Sequence, residues 1–406
     1  MSAHYYHRTI ETTVKQVNKT FKALLLTGMR QVGKTTLLKD LAEDNRTYIT
    51  LDDQRLLKLA KDDPYLFFQT YQPPLLIDEI QYAPELFSYI KMLLDAGQET
   101  GQIWMTGSQQ FLLMQGVSET LAGRIAIMEL SGFSMYERER NGNLQKPFLP
   151  MPKPESILKK RSVLETYEVI WKGSFPGMVL NDNQAWSLFY SSLIKTYIER
   201  DVRQILNIGN ELSFYNFLKV VAARTAQELN LTDLANNLDI SLNTVKSWLS
   251  VLQASGIIFL LQPYFENQTK RIVKRPKLYF SDTGLCAYLT DWNTPETLSS
   301  GAMNGAIFET FVVSEIIKSY KHNGLSPSLY FYRDSNKVEI DLLIVQNGIF
   351  YPVEIKRTAN PNNKMVKNFK VLENIGKKTG YGSLICLTDA VLPLSTTANA
   401  ISIWDI

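Results

Sequence analysis

Gly28-Met29-Arg30-Gln31-Val32-Gly33-Lys34-Thr35 follows the apolar run Ala23 to Leu26. The eight residues fit G-x-x-x-x-G-K-[ST], which after a strand and before a helix predicts a phosphate-binding loop. Glycines let such a loop wrap closely round phosphates, while consecutive backbone N–H groups and the next helix's N-terminus supply a positive cradle. Lys34 is expected to reach the β- and γ-phosphates and Thr35 to ligate Mg²⁺. Gly28, Arg30, Gly33, Lys34, Thr35 and Thr36 are the expected contacts to ATP. Downstream, Pro74-Leu75-Leu76-Ile77-Asp78-Glu79 is an apolar strand delivering two carboxylates at its C-terminal end, where open α/β sheets place their ligands. Asp78 would hold Mg²⁺, and Glu79 would polarise the water attacking the γ-phosphate. The same pair, standing alone, could simply cap the next helix.

Thr47 to Leu51 is a further strand candidate between the two motifs, and Ile103-Trp104-Met105-Thr106 with Gly107-Ser108-Gln109 follows them. An added strand between phosphate loop and acidic strand, with a polar residue ending the next strand, resembles the AAA family of P-loop ATPases. That resemblance implies a γ-phosphate sensor at Ser108 or, second, Gln109; an ordinary turn is the alternative. Arg124, in Leu121-Ala122-Gly123-Arg124-Ile125, is the first candidate for the arginine that stabilises transition-state charge, ahead of Arg200 and Arg203. The last two could equally be helix-surface ion pairs. A nucleotide-dependent kinase is disfavoured, because no phosphoacceptor motif is evident and Glu79 suits water activation.

The chain has 406 residues, 45% of them apolar, which suggests two to four domains with folded cores. A net charge of +3 supplies no global basic field, so any case for DNA must rest on local patches. Cys286 and Cys386 form no disulfide framework and suit reduced core thiols in a cytoplasmic protein. No signal-peptide pattern opens the chain and no eighteen-residue apolar run occurs, so secretion and membrane spanning are not expected. Asn141 to Pro154, broken by Asn, Gly and prolines, is the clearest linker candidate.

Residues 157 to 220 are mostly helical in pattern, interrupted at Gly173-Ser174-Phe175-Pro176-Gly177, and are expected to form a lid over the nucleotide. Leu231 to Leu238, a turn at Asp239-Ile240-Ser241, and Asn243 to Ala254 predict two helices, with Ser241 as an N-cap. Strands at Ile257 to Leu261 and Lys277 to Phe280 complete a pattern that resembles a winged helix. By that resemblance Asn243, Lys246 and Ser247 could meet a DNA groove. Lys270, Arg271, Lys274, Arg275 and Lys277, beside Tyr264 and Phe265, could neutralise phosphates from the wing. A solvated basic loop, or a module for subunit packing or a protein partner, is the alternative.

A second constellation lies at Val338-Glu339-Ile340-Asp341-Leu342-Leu343-Ile344-Val345 and Ile349-Phe350-Tyr351-Pro352-Val353-Glu354-Ile355-Lys356, flanking Asn347-Gly348. Two β-runs around Asn-Gly predict a hairpin. A two-residue loop sets Asp341 opposite Glu354 and Glu339 opposite Lys356, all on one face. Opposed carboxylates repel unless a proton or cation lies between them, so Asp341 and Glu354 are candidate Mg²⁺ ligands, with Lys356 orienting a metal-bound water. Glu309, on a helix expected over Ala306 to Tyr320, could add a third carboxylate. Pro352 hints at an edge or bulge that would shift the register. The blander possibility is a Glu339–Lys356 surface pair with Asp341 and Glu354 solvated.

The helix with Glu309, the strand with Asp341, Glu354-x-Lys356 on the next strand, then helix and strand resemble the PD-(D/E)XK nuclease superfamily. Nearly the whole chain resembles prokaryotic AAA-type ATPases that carry a winged helix and a nuclease-like C-terminal domain. The implied architecture is α/β: a P-loop core with an AAA-like parallel sheet at 1–135, helical lid and linker at 136–222, winged helix at 223–282, and a restriction-endonuclease-like α/β domain at 283–406. The implied activity is ATP hydrolysis coupled to DNA, with metal-dependent cleavage, or else a nucleotide switch for a protein partner or homo-oligomer with an inactive nuclease fold.

Overall fold

The computed structural model describes residues 5–97, 99–108, 121–202, 211–265 and 275–406. Its N-terminal sheet contains β1 (Ala23–Thr27), β2 (Thr47–Thr50), β3 (Leu75–Asp78), β4 (Ile103–Gly107) and β5 (Ile125–Glu129), all parallel in the order β2-β3-β4-β1-β5. Both faces are covered, so β1 and β4 are buried along their whole length, as parallel strands require. Strand alternation divides β1 between two cores: Leu24 and Leu26 face one with Leu76 and Trp104, Ala23 and Leu25 the other with Ile77 and Met105. Thr27 pairs with both Gly107 and Glu129, and Thr50 with Asp78, so the C-terminal ends of the five strands share one edge.

The C-terminal half is built on nine strands: β6 (Gln227–Glu228), β7 (Ile258–Pro263), β8 (Lys277–Phe280), β9 (Leu329–Arg333), β10 (Glu339–Gln346), β11 (Ile349–Ile355), β12 (Gly382–Cys386), β13 (Leu392–Ser395) and β14 (Ala398–Ser402). They form one sheet in the order β13-β14-β12-β11-β10-β9-β7-β8-β6. The helices Leu231–Leu238 and Leu242–Ala254 precede β7, and Ser241 caps the second through the Thr244 N–H. The β7/β8 hairpin is not confined to a wing: β7 pairs in parallel with β9 through Gln262–Tyr330 and Pro263–Phe331. The sheet therefore runs across the boundary expected at 282/283.

The expected linker also has a different role. Phe148 is buried, its N–H donates to Ser319 Oγ (2.9 Å), and the Met151 carbonyl accepts from Asn399 (3.0 Å). Residues 141–154 thus strap the C-terminal half, because their prolines fit an extended path whose backbone groups find partners there. Helix Asn304–Lys321, about 27 Å long at 1.5 Å per residue, has twelve of its eighteen residues buried and joins the two halves. A single apolar cluster runs from Ile10, Leu24 and Val32 through Phe308 and Val312 to Trp404. Both cysteines are buried and free. No helix among the described residues is long and apolar enough to cross a membrane.

Candidate functional site

The phosphate loop begins where β1 ends. Gly28 has φ 142°, and a Cβ there would lie 2.1 Å from the Leu130 carbonyl oxygen, so the close passage of β5's continuation admits glycine alone. Gly33, at φ 95°, caps helix Lys34–Leu41. Lys34 is buried and its Nζ donates to the carbonyls of Gly28 (2.9 Å) and Met29 (2.8 Å), within its own loop. Thr35 lies beneath the loop and Thr36 is exposed at the helix surface.

Asp78, only 6% exposed, is the hub. Its Oδ1 accepts from Thr35 Oγ1 (2.8 Å) and from Thr106 Oγ1, and its Oδ2 from the Tyr48 hydroxyl (3.0 Å). Burial, then the Asp78 charge, pushes the Tyr48 hydroxyl up to about 12. Thr106 also accepts the Glu79 N–H (3.3 Å), so one buried hydroxyl fixes both acidic residues. Glu79 adopts the left-handed region at φ 58°, a conformation uncommon for a branchless acid and typical of strained functional positions. Its Oε2 accepts from Gln81 and from Ser108 Oγ (3.5 Å). Arg30 reaches the same side, donating to the Tyr82 hydroxyl (3.2 Å). The hard hydroxyl and carboxylate oxygens of Thr35 and Asp78, adjacent to the loop, fit a Mg²⁺ that keeps waters and completes its shell with phosphate oxygens.

Of the expected nucleotide-site residues, Gly28, Arg30, Gly33, Lys34, Thr35, Asp78, Glu79 and Ser108 converge. Arg124 does not. It precedes β5, at the opposite edge of the sheet from the loop, where its Nε donates to Asp95 Oδ1 (2.6 Å) in an exposed ion pair. A parallel strand of five residues, about 16 Å, separates it from the phosphate edge of its own chain. Gln109 and Arg203 lie outside the described residues, as does the Arg200 side chain. Thr106 and Tyr48 were not legible as site residues; the available signal was a hydroxyl near the end of the strand beside the acidic one. Arg8 is another addition: its buried guanidinium donates to the Val32 carbonyl of the loop (3.0 Å) and to the Ser131 carbonyl (2.7 Å).

Arg8 Nε also lies 3.1 Å from Glu137, a carboxylate with no exposure that contacts His322 Nδ1 at 3.2 Å. Burial alone would raise that carboxyl; Arg8 and His322 outweigh it and hold the group well below the usual range. Beside this, Glu315 accepts the Met135 N–H (2.8 Å) and Lys318 donates to the Phe133 carbonyl (3.0 Å). The C-terminal half of helix Asn304–Lys321 is thus keyed to the segment following β5, and its N-terminal half carries Glu309.

Glu309 faces the second constellation. The hairpin has the expected register, Leu342 opposite Val353 through Gln346 opposite Ile349. Pro352 shifts nothing: Phe350 N–H points toward the β12 side, to the Lys378 carbonyl (2.9 Å), and alternation places the missing donor of Pro352 there too, where the β12 ladder starts only at Val353. Asp341, Glu354, Glu309 and Lys356 come together, lining a cavity of about 440 Å³ with Glu339, Arg333 and Lys337. The cation between the opposed carboxylates is an ammonium group. Lys356 Nζ lies 3.0 Å from Asp341 and 2.7 Å from Glu354, while Ile355 N–H donates to Asp341 (2.9 Å). Glu339 pairs not with Lys356 but with Lys277 (2.7 Å), a residue outside the hairpin. Burial, then the Asp341 charge, pushes Glu354 up to about 8 against the pull of Lys356. Burial and Asp341 likewise push Glu309 up to about 7 against Lys277.

In the paired-helix region, Asn243 and Lys246 are exposed on helix Leu242–Ala254, and Lys246 and Arg275 line one groove of about 430 Å³ with Gln253 and Asn230. Lys270, Arg271 and Lys274 lie outside the described residues.

Comparison with known proteins follows these divisions. Residues 20–139 match the AAA domain family, residues 164–296 a domain of unknown function (DUF8612), and residues 304–406 another domain of unknown function (DUF4143). The N-terminal segment is thus similar to AAA domains. The chain is 28% identical over 340 residues to the uncharacterised protein Rv2008c of Mycobacterium tuberculosis, spanning 84% of this chain and 71% of that one. It is 24% identical over 361 residues to the uncharacterised protein MJ1637 of Methanocaldococcus jannaschii, spanning 75% and 70% respectively. Among solved structures, a Walker-type ATPase of Pyrococcus abyssi matches at 14% identity and TM-score 0.46, over 70% of this chain and 96% of that chain. AMPPCP-bound DnaA from Aquifex aeolicus matches at 15% and 0.30, over 60% and 85%.

Proposed function

We propose that the chain hydrolyses ATP at the loop Gly28–Thr35 and that its nucleotide state governs engagement of duplex DNA by the C-terminal half. The observation that carries the first part is Asp78, buried and held by Thr35, Tyr48 and Thr106 directly behind the loop, with Glu79 turned ahead of it. In this reading Lys34 leaves the Gly28 and Met29 carbonyls for the β- and γ-phosphates. Thr35 and Asp78 hold Mg²⁺, which when bound neutralises phosphate charge. Glu79, its carboxylate positioned by Gln81 and Ser108, orients and accepts a proton from the attacking water. Arg8, through the Val32 carbonyl and through Glu137, ties loop position to helix Asn304–Lys321.

DNA engagement rests on the exposed Asn243 and on Lys246 and Arg275, which line one groove. A protein partner is the second reading, favoured by the pairing of the C-terminal carboxylates with the chain's own lysines; in both readings that pocket is a platform rather than a cleaving site. The test is the ATP hydrolysis rate with and without duplex DNA, with Lys34→Ala as control. Several-fold, salt-sensitive stimulation is expected; hydrolysis indifferent to DNA would transfer the argument to the protein partner. Full turnover by Lys34→Ala would sink the phosphate-site assignment.

A further inference from the structure

Lys277 opens β8, which is paired on one edge with β7 through Leu261 and on the other with β6 through Glu228. Its backbone is therefore fixed, and its side chain, like the rest of the strand, is buried. The ammonium group lies 2.7 Å from Glu339, 3.2 Å from Glu309 and 3.9 Å from Asp341. Three carboxylates from two elements, helix Asn304–Lys321 and β10, thus converge on one point, and that point is taken. The same Glu309 oxygen also accepts the buried Tyr279 hydroxyl (2.7 Å), and Lys356 fills the neighbouring space between Asp341 and Glu354.

A divalent ion does not fit this arrangement. Within hydrogen-bonding range of the same oxygens it would stand beside two ammonium groups and would have to strip Glu309 and Asp341 of donors they already hold. Among the described residues no group of three His, Cys, Asp or Glu side chains is disposed to hold a metal. Glu309, Glu339, Asp341 and Glu354 all face the ammonium groups of Lys277 and Lys356.

We propose that Lys277 is the resident cation of the C-terminal pocket, occupying the seat between Glu309, Glu339 and Asp341 and excluding divalent metal from it. The inference rests on reading the pocket as a platform and is independent of the phosphate loop. Lys277 belongs to the strand that follows the basic β7–β8 connection, so the exclusion is set from outside the hairpin that carries Asp341 and Glu354.

The test is Mn²⁺ binding to the full-length protein without nucleotide, followed by electron paramagnetic resonance of the free ion. The wild-type chain is expected to show no Mn²⁺ site that disappears on Asp341→Asn. Lys277→Met should gain one Mn²⁺ site, at least about tenfold tighter than any binding by the wild type, and lose it again in Lys277→Met with Asp341→Asn. Lys277→Arg keeps a cation and should stay metal-free while retaining the wild-type melting temperature within a few degrees. A wild-type site abolished by Asp341→Asn overturns the proposal even if Lys277→Met fails to fold. A folded Lys277→Met chain that binds no Mn²⁺ overturns it as well, because Lys277 would then not be what keeps metal out. Neither result depends on ATP turnover, which is measured separately through Lys34→Ala.

Discussion

Thr106 illustrates how much one buried hydroxyl decides. It donates to Asp78 and accepts the Glu79 N–H, so it sets the acidic pair relative to the loop. Thr106→Val keeps the shape and removes both bonds; steady-state kinetics should show kcat lowered about tenfold with little change in KM, the scale of one lost hydrogen bond. Unchanged kcat would remove Thr106 from the site. Gly28 is constrained more severely, since the Cβ of any other residue would meet the Leu130 carbonyl at 2.1 Å. Gly28→Ala should cost about 3 kcal/mol in urea unfolding, the cost of overpacking plus a disfavoured φ. A midpoint equal to wild type would show that β5's continuation can yield.

At the scale of elements, helix Asn304–Lys321 and the β10/β11 hairpin carry the argument. Glu137 is the buried anion through which the helix's C-terminal end meets Arg8. Glu137→Gln leaves that guanidinium without its counter-charge and should destabilise the chain by about 3 kcal/mol or more, read by chemical denaturation. The hairpin predicts a pH effect. Glu354 has its pKa at about 8 when folded against an ordinary 4.5, so between these values the folded chain keeps a proton that the unfolded chain releases. Its contribution is therefore full below the unfolded pKa and lost as pH rises through the folded one. The slope approaches about 1.4 kcal/mol per pH unit. Glu354→Gln should flatten the fall of unfolding free energy between about pH 5 and 8 by one proton's worth; an identical slope would mean that Glu354 ionises normally.

For the whole molecule, the decisive fact is that one apolar cluster joins Leu24 and Leu26 behind the phosphate loop to Phe308, Val312 and Trp404. The halves are not beads on a linker, since the strap at 141–154 is itself bonded to Ser319 and Asn399. Trp104 lies in β4 and Trp404 donates to Thr166 across the C-terminal half (3.2 Å), so single-tryptophan variants retaining one or the other should report coincident urea midpoints. Separated midpoints would show that the halves unfold independently.

The sequence by itself determined the local chemistry. Glycine and lysine spacing located the phosphate loop, an apolar run ending in Asp78-Glu79 located its acidic partner, and period-two alternation around Asn347-Gly348 placed Asp341 opposite Glu354 in the observed register. These are short-range facts, fixed by backbone conformation and side-chain period. Only the tertiary structure decided what met across distance. It set Thr106 against Asp78, carried Arg124 to the far edge of the sheet, turned an expected linker into a strap, and ran β7 into the sheet of β9. It also brought Lys277 into a pocket whose other charged members lie 32 to 79 residues away. Such contacts depend on strand order and on which face each element buries, and no spacing along the chain encodes which distant cation will neutralise a given pair of carboxylates.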